Sequence, residues 1–210
     1  ASRRGIPYAI VINGVPTTAR NMQPLLLLPA IETLNAARHI VFVCAANQAQ
    51  FQRLFPEVNT ALAVIVNTCS EAFFTPPQPG VRDRVRQELG VTSEDFLILT
   101  TGRVEPKKGQ ELAIRALAEI KKQHGSFLDI QLGFAGTATE EYAAKLQKLC
   151  DSLGVAERVA MFGYRSDVKD LLAACDLFCL PSYTEGMPIS IVEAMAMEVP
   201  IVATAVDGIP

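Results

Sequence analysis

From residue 96 to residue 204, short apolar runs alternate with longer amphipathic ones, and this alternation constrains the fold more than any other feature of the chain. Strands are expected at residues 96–101, 128–134, 158–162, 176–180 and 201–204, with helices at 109–124, 139–153, 167–174 and 188–197. Short apolar strands, each followed by an amphipathic helix, fit together as a parallel sheet covered on both faces, because every crossover helix must pack back onto the sheet. The expected class is α/β, with a doubly wound, Rossmann-like parallel sheet. Ligands of such sheets sit outside the carboxyl ends of the strands, which groups the loops at 102–108, 135–138, 163–166 and 181–188 around one crevice.

Upstream, Thr75-Pro-Pro-Gln-Pro-Gly80 packs three prolines and a glycine into six residues, a composition that suits neither a helix interior nor a central strand. It reads as a linker at 76–80 between a first domain, 1–75, and a second, 81–210, which opens with a charged helix at 81–89. Strands at 8–12, 39–45 and 61–66 and a helix at 25–38 are expected before the linker. Fewer than about 80 residues precede it, too few for a whole domain. With an initial Ala in place of Met, this leads us to expect a partial first domain and a second domain that stops before its last elements.

Composition narrows the function classes. The formal charge is −3, so nothing marks the chain for nucleic acid or an anionic membrane, both of which need clustered Lys and Arg in excess. An anion must then be held by a local site. Cys44, Cys69, Cys150, Cys175 and Cys179 are odd in number and form no paired Cys-x-x-Cys units, which predicts buried, reduced thiols in a cytoplasmic protein. Cys175 and Cys179 have no His nearby, and no metal or other cofactor is expected. The apolar runs at 25–28 and 40–46 fall short of the ~20 residues a membrane span needs. Arg3 and Arg4 ahead of residues 6–12 mimic a secretory signal, but Pro7, Asn13 and Gly14 break the run.

Two segments carry chemistry. Gly102-Arg-Val-Glu-Pro-Lys-Lys-Gly109 leaves a strand and enters a helix, whose N-terminus is partially positive, so Lys107 and Lys108 are unfavourable there without an anion. Arg103 offers paired planar donors, Lys108 a mobile charge and the glycines close backbone approach, a set suited to phosphate. A solvated loop in which Glu105 compensates the lysines is the alternative. The P-loop spacing is absent, and Gly133 with Gly136 is too sparse for a dinucleotide fingerprint.

The second segment runs from Pro181 to Met197. Pro188 suits a first helical position, and the helix after it is apolar nearly all round, so burial is expected. Glu193 is the only charge between Gly186 and Met197; a carboxylate there needs a partner, either a hydroxyl-rich ligand or a structural salt bridge. Glu185, Gly186 and Met187 form the turn before the helix, with Glu185 facing the crevice. Glu193 leans back toward the helix start, so both carboxylates can reach one ligand.

At these residues the chain resembles retaining GT-B glycosyltransferases of group 1 (family four). The likeness covers about residues 38–210. Gly102-Arg103, Lys108-Gly109, Val159-Ala-Met-Phe-Gly163, Asp176-Leu-Phe-Cys-Leu-Pro-Ser182, the pair Glu185 and Glu193, Pro200 and Asp207-Gly208-Ile-Pro210 follow the family's order and spacing. The resemblance implies a nucleotide diphosphate sugar donor and a glycan, lipid-linked or small-molecule acceptor. It implies Arg103, Lys108 and Glu185 as catalytic residues, Arg103 and Lys108 on the diphosphate, Glu193 on the ribose and Glu185 on the transferred sugar. The donor site would also include Gly102, Gly163, Gly186, Met187, Pro188 and Ile189, with the Gly186 and Met187 N–H groups near sugar and phosphate. No metal is implied. The family's Asn-Gly-Val-Asp turn is altered, with Thr68 for Gly and Ser70 for Asp after Asn67, which predicts a looser or a differently bonded turn. His39 and His124 receive no catalytic role. Two rival functions on the same fold are a non-catalytic nucleotide-sugar-binding module and a nucleotide-sugar epimerase; a glycogen-type phosphorylase would in addition need a lysine-bound pyridoxal phosphate.

Overall fold

Among the described residues the strands pair in parallel, in two separate sheets, and the alternation from residue 96 onward builds the second of them. The structure is a computed structural model that describes residues 7–14, 24–124 and 129–209, with the backbone alone for 24–27. Arg3, Arg4, Gly125, Pro210 and the expected strand start at Leu128 lie outside the described residues. Two compact units form: one from residues 1–68, 185–188 and 205–210, the other from 69–184 and 189–204.

The first unit contains β1 (Ala9–Ile12), α1 (Pro24–Asn35), β2 (His39–Phe42), α2 (Ala45–Leu54) and β3 (Leu62–Val64), with sheet order β1-β2-β3. Its core is Ile40, Phe42, Phe51 and Phe55, and the Phe42–Phe51 and Phe51–Phe55 ring centroids are each 5.1 Å apart. Helix α2 was not anticipated. Its sequence, Ala45-Ala-Asn-Gln-Ala-Gln-Phe-Gln-Arg-Leu54, is mostly polar, so no apolar stripe announces it. The available signals were Phe51 and Phe55 at helical spacing and Cys44, which ends the strand early and caps the helix by accepting the Asn47 N–H at 3.5 Å.

The second unit contains α3 (Val81–Leu89), β4 (Phe96–Thr101), α4 (Gln110–His124), β5 (Ile130–Ala135), α5 (Glu140–Leu153), β6 (Val159–Gly163), α6 (Val168–Ala174), β7 (Leu177–Leu180), α7 (Ile189–Ala196) and β8 (Ile201–Ala203). The sheet order is β6-β5-β4-β7-β8. The chain lays β4, β5 and β6 outward, then crosses back to set β7 on the other flank of β4. Right-handed crossovers put the helices made before and after that reversal on opposite faces. Helices α4 and α5 cover one face around Ile114, Leu117, Leu132, Phe134 and Leu146, while α6 lies on β4 with α3 beside it. The strand order reverses between β4 and β7, where a doubly wound sheet opens its crevice.

At the opposite end of these strands, Arg86 is 4% exposed. Its guanidinium donates to the carbonyls of Ala174, Thr92 and Asp95 and pairs with Asp176 at 3.1 Å. Asp176 in turn accepts the Leu97 N–H at 2.7 Å and pairs with Arg82. One buried cation thus ties α3 and the end of α6 to the starts of β4 and β7.

This unit begins before residues 76–80, at Cys69. The 3-10 turn Glu71–Phe74 packs on α7, and the Cys69 thiol approaches the Val192 carbonyl. Ser70 caps that turn by accepting the Ala72 N–H at 3.4 Å, so the altered turn is bonded through serine. The expected burial of α7 is corrected: of its residues only Ala194 is buried, and Ile189 and Met195 are 46% and 65% exposed. Within the unit, β7, β8 and the 3-10 turn cover one side of a helix that is apolar all round. The helix also starts one residue later than expected, at Ile189, so Pro188 precedes it. Among the described residues, no helix is long and apolar enough to cross a membrane.

Candidate functional site

The loops leaving β4 and β7 flank the reversal point, and they are joined. The Tyr183 N–H donates to the Lys107 carbonyl at 2.8 Å. Gly109, at φ +70°, approaches Pro181 so closely that an added Cβ would stand 1.9 Å from its carbonyl oxygen. Only glycine satisfies both the left-handed backbone and that approach.

Lys107 and Lys108 were expected in the loop at the start of the helix, and they stand just ahead of it. Pro106–Lys108 form a 3-10 turn, and Gly109 interrupts it before α4 starts at Gln110. The Gly109 carbonyl then accepts the N–H groups of Leu112 and Ala113. The lysines therefore stand just ahead of a helix start. Glu105 lies 3.5 Å from the Arg103 guanidinium and 3.4 Å from the Lys107 ammonium. The compensating role foreseen for Glu105 is real, yet the Arg103 side chain is 67% exposed, and such surface pairs contribute only about 0–1 kcal/mol. A phosphate with more charge and more acceptors can displace Glu105. Sequence reasoning missed Gln110, which is fully buried and whose amide donates to the Arg103 carbonyl at 3.1 Å. A lone glutamine following Lys-Gly carried no signal.

Glu193 lies just over a turn into α7, and its side chain leans toward the helix start. It is half-buried, and burial pushes its carboxyl above the ordinary glutamate range. Among the described residues no ion pair or hydrogen bond compensates this carboxylate, which removes the structural salt bridge as its explanation. A raised native pKa means that the folded chain holds its proton more tightly than the unfolded one. Stability therefore falls as pH rises from the unfolded pKa through the folded one. Glu193→Gln is expected to melt at a higher temperature than the parent at pH 7, with the difference shrinking as pH falls toward 4. Equal melting at pH 7 would show that the carboxylate is not strained.

The segment 185–188 belongs to the first unit. The Glu185 N–H donates to the Asp207 carboxylate at 2.8 Å, and the Asn67 side-chain amide donates to the Met187 carbonyl at 2.8 Å. Gly186 is pressed against Asn13, with 1.8 Å between an added Cβ and the Asn13 carbonyl oxygen. Glu185 itself is half-buried. Gly163 ends β6, two strands and roughly 10 Å from β4. In the loop after it, Arg165 is bound by Glu88 and Asp167. The structure thus gathers Gly102, Arg103 and Lys108 into one loop joined to 181–184. Ile189 and Glu193 lie on the helix that follows, Gly163 stays at the sheet edge, and Glu185, Gly186, Met187 and Pro188 group with the first unit. All five cysteines are free. His39 opens β2 on the surface, and His124 closes α4. No cluster of three metal-ligating residues occurs among the described residues.

A doubly wound parallel sheet with cationic and acidic side chains in the loops at its reversal point defines an α/β protein whose strand ends open the crevice in which such sheets hold ligands. The chain belongs to the glycosyl transferases group 1 family, whose model matches residues 81–210. It is 30% identical over 182 residues to D-inositol 3-phosphate glycosyltransferase of Mycobacterium marinum, an overlap of 86% of this chain and 35% of that protein. A crystal structure of Anabaena Alr3699/HepE in complex with UDP and glucose superposes with a TM-score of 0.82 at 27% identity, over 96% of this chain and 54% of that one. Sucrose-phosphate synthase of Thermosynechococcus elongatus shares the fold, with a TM-score of 0.80 at 18% identity over 98% and 52%. The fold class is therefore GT-B. The chain spans about a third of the length of the curated relatives it matches and about half of the solved chains.

Proposed function

We propose that the protein transfers a hexose from a uridine diphosphate sugar to a hydroxyl of a glycan, lipid-linked or small-molecule acceptor, with retention of configuration. The observation that carries this reading is Glu193, a half-buried carboxylate with no partner among the described residues, on the helix that follows the loop joined to Arg103 and Lys108. A ribose supplies the hydroxyl donors that such a carboxylate lacks. The UDP and glucose bound by the Anabaena relative support the choice of donor.

In this reading Arg103 and Lys108 hold the diphosphate. As the sugar–phosphate bond breaks, negative charge grows on the departing oxygen and positive charge on the sugar ring. Fixed cations at the phosphate stabilise that state most. Glu185 faces the ring, and the N–H groups of Gly186 and Met187 lie near sugar and phosphate. The acceptor oxygen attacks from the side the phosphate leaves, and the phosphate takes its proton, so no protein nucleophile of the glycosidase kind is required. The five free cysteines support a reducing compartment, the cytoplasm.

Titration calorimetry with UDP, UDP-glucose and the corresponding guanosine and adenosine compounds tests the donor. Lys108→Ala is expected to weaken UDP binding about tenfold to a hundredfold, the range of a hydrogen bond between charged groups. Equal heats for parent and variant would overturn the assignment.

A further inference from the structure

We infer that Asp207 is a positioning residue, one that sets the direction of Glu185 by holding its main chain. The inference deepens the reading in which Glu185 meets the transferred sugar, and rests on it.

Asp207 adopts φ +47°, a left-handed backbone that few residues other than glycine accept and that aspartate tolerates better than most. Its carboxylate takes the Glu185 N–H at 2.8 Å. Two residues on, Asn67 holds the same turn from the other side. Its amide donates to the Met187 carbonyl at 2.8 Å, and its N–H meets the Met187 sulfur at 3.2 Å. Gly186, between the two anchors, is backed by the Asn13 carbonyl with no room for a Cβ. All of these groups lie in one unit.

The turn is therefore fixed at both ends and blocked in the middle. With its N–H held in a turn anchored on both sides, the main chain of Glu185 is restrained, which narrows the directions its Cα–Cβ bond can take. Asp207 touches no reacting atom in this scheme; it acts through Glu185. Backbone tolerance alone would be met as well by glycine, which cannot accept the N–H. The hydrogen bond is thus the separable contribution of the aspartate.

The test compares Asp207→Gly, Asp207→Asn and Glu185→Ala in the protein, measuring the affinities for UDP-glucose and for UDP, with melting temperatures alongside. Asp207→Gly keeps the left-handed backbone and loses the acceptor, while Asp207→Asn keeps both. The affinity of UDP-glucose relative to UDP is expected to fall about tenfold in Asp207→Gly, on the scale of one hydrogen bond to a carboxylate, and to stay within about twofold in Asp207→Asn. UDP alone is expected to bind Asp207→Gly and Asp207→Asn as it binds the parent. If Glu185→Ala lowers the ratio and Asp207→Gly does not, the positioning role is wrong and the assignment of Glu185 stands. A ratio unchanged in Glu185→Ala overturns that assignment, and the positioning role with it. Equal weakening of both ligands in Asp207→Gly, with a lower melting temperature, would mean that Asp207 merely supports the fold.

Discussion

Arg86→Ala is expected to destabilise the second unit by about 3–5 kcal/mol, the usual cost of removing one partner from a buried, hydrogen-bonded ion pair. The side chain is 5% exposed, and its loss strands the carbonyls of Thr92 and Asp95 as well as one side of the Asp176 carboxylate, while the Ala174 carbonyl keeps Arg82. At this size a destabilisation of that order lowers the melting temperature by roughly 6–20 °C. Burial pushes the Asp176 carboxyl up, but the Leu97 N–H and the Arg82 and Arg86 guanidiniums outweigh it and hold the group below the usual aspartate range. A depressed native pKa contributes stability that is present above the unfolded value of 3.8 and is lost as pH falls through the folded one. Arg86→Ala should therefore also move acid unfolding to higher pH. Thermal melts at pH 7 together with an acid titration by circular dichroism check both effects. A shift of under about 1 kcal/mol would mean that the clamp is dispensable.

Gly109→Ala is expected to damage the site and the fold together. The left-handed backbone costs an alanine about 1 kcal/mol, and forcing a methyl against the Pro181 carbonyl adds about 1–3 kcal/mol more. Because the intruded atom is backbone, relief requires the loops after β4 and β7 to part, and Lys108 moves with them. UDP affinity should fall by at least about tenfold. Gly154 provides the control: its φ is +64°, and an added Cβ meets nothing within 4 Å. Gly154→Ala should show the backbone cost alone and bind UDP normally. Calorimetry on the pair separates the two contributions; equal behaviour would show that the approach to Pro181 does not shape the site.

The α/β class was legible because each strand from 96 onward is a short apolar run and the helices before α7 carry a stripe. Those two periods survive in sequence whatever the tertiary context. Helix α2 was not legible, since it buries little more than Asn47 and Phe51 and is capped by a cysteine, a residue type with no capping signature. The loop at 102–109 was legible in content but not in geometry: its charges are plain, while the left-handed Gly109 that ends its 3-10 turn is pressed against Pro181, more than 70 residues away in the chain. Arg86 and Asp207 bond to main chain far away in sequence, and Gln110 to a carbonyl across the loop before it, none of which a local pattern encodes. Glu193 was legible for the opposite reason. A single charge in an apolar helix stands out by itself, and the structure adds that no protein group among the described residues answers it.

The central claim is that Arg103, Lys108 and Glu193 hold one nucleotide diphosphate. A crystal structure of the protein soaked with UDP tests it most directly. The diphosphate is expected on the loop between Gly102 and Gly109, with Arg103 drawn from Glu105 onto a phosphate oxygen and both ribose hydroxyls on the Glu193 carboxylate. UDP bound elsewhere, with Arg103 still on Glu105 and Glu193 without a ligand, would contradict it.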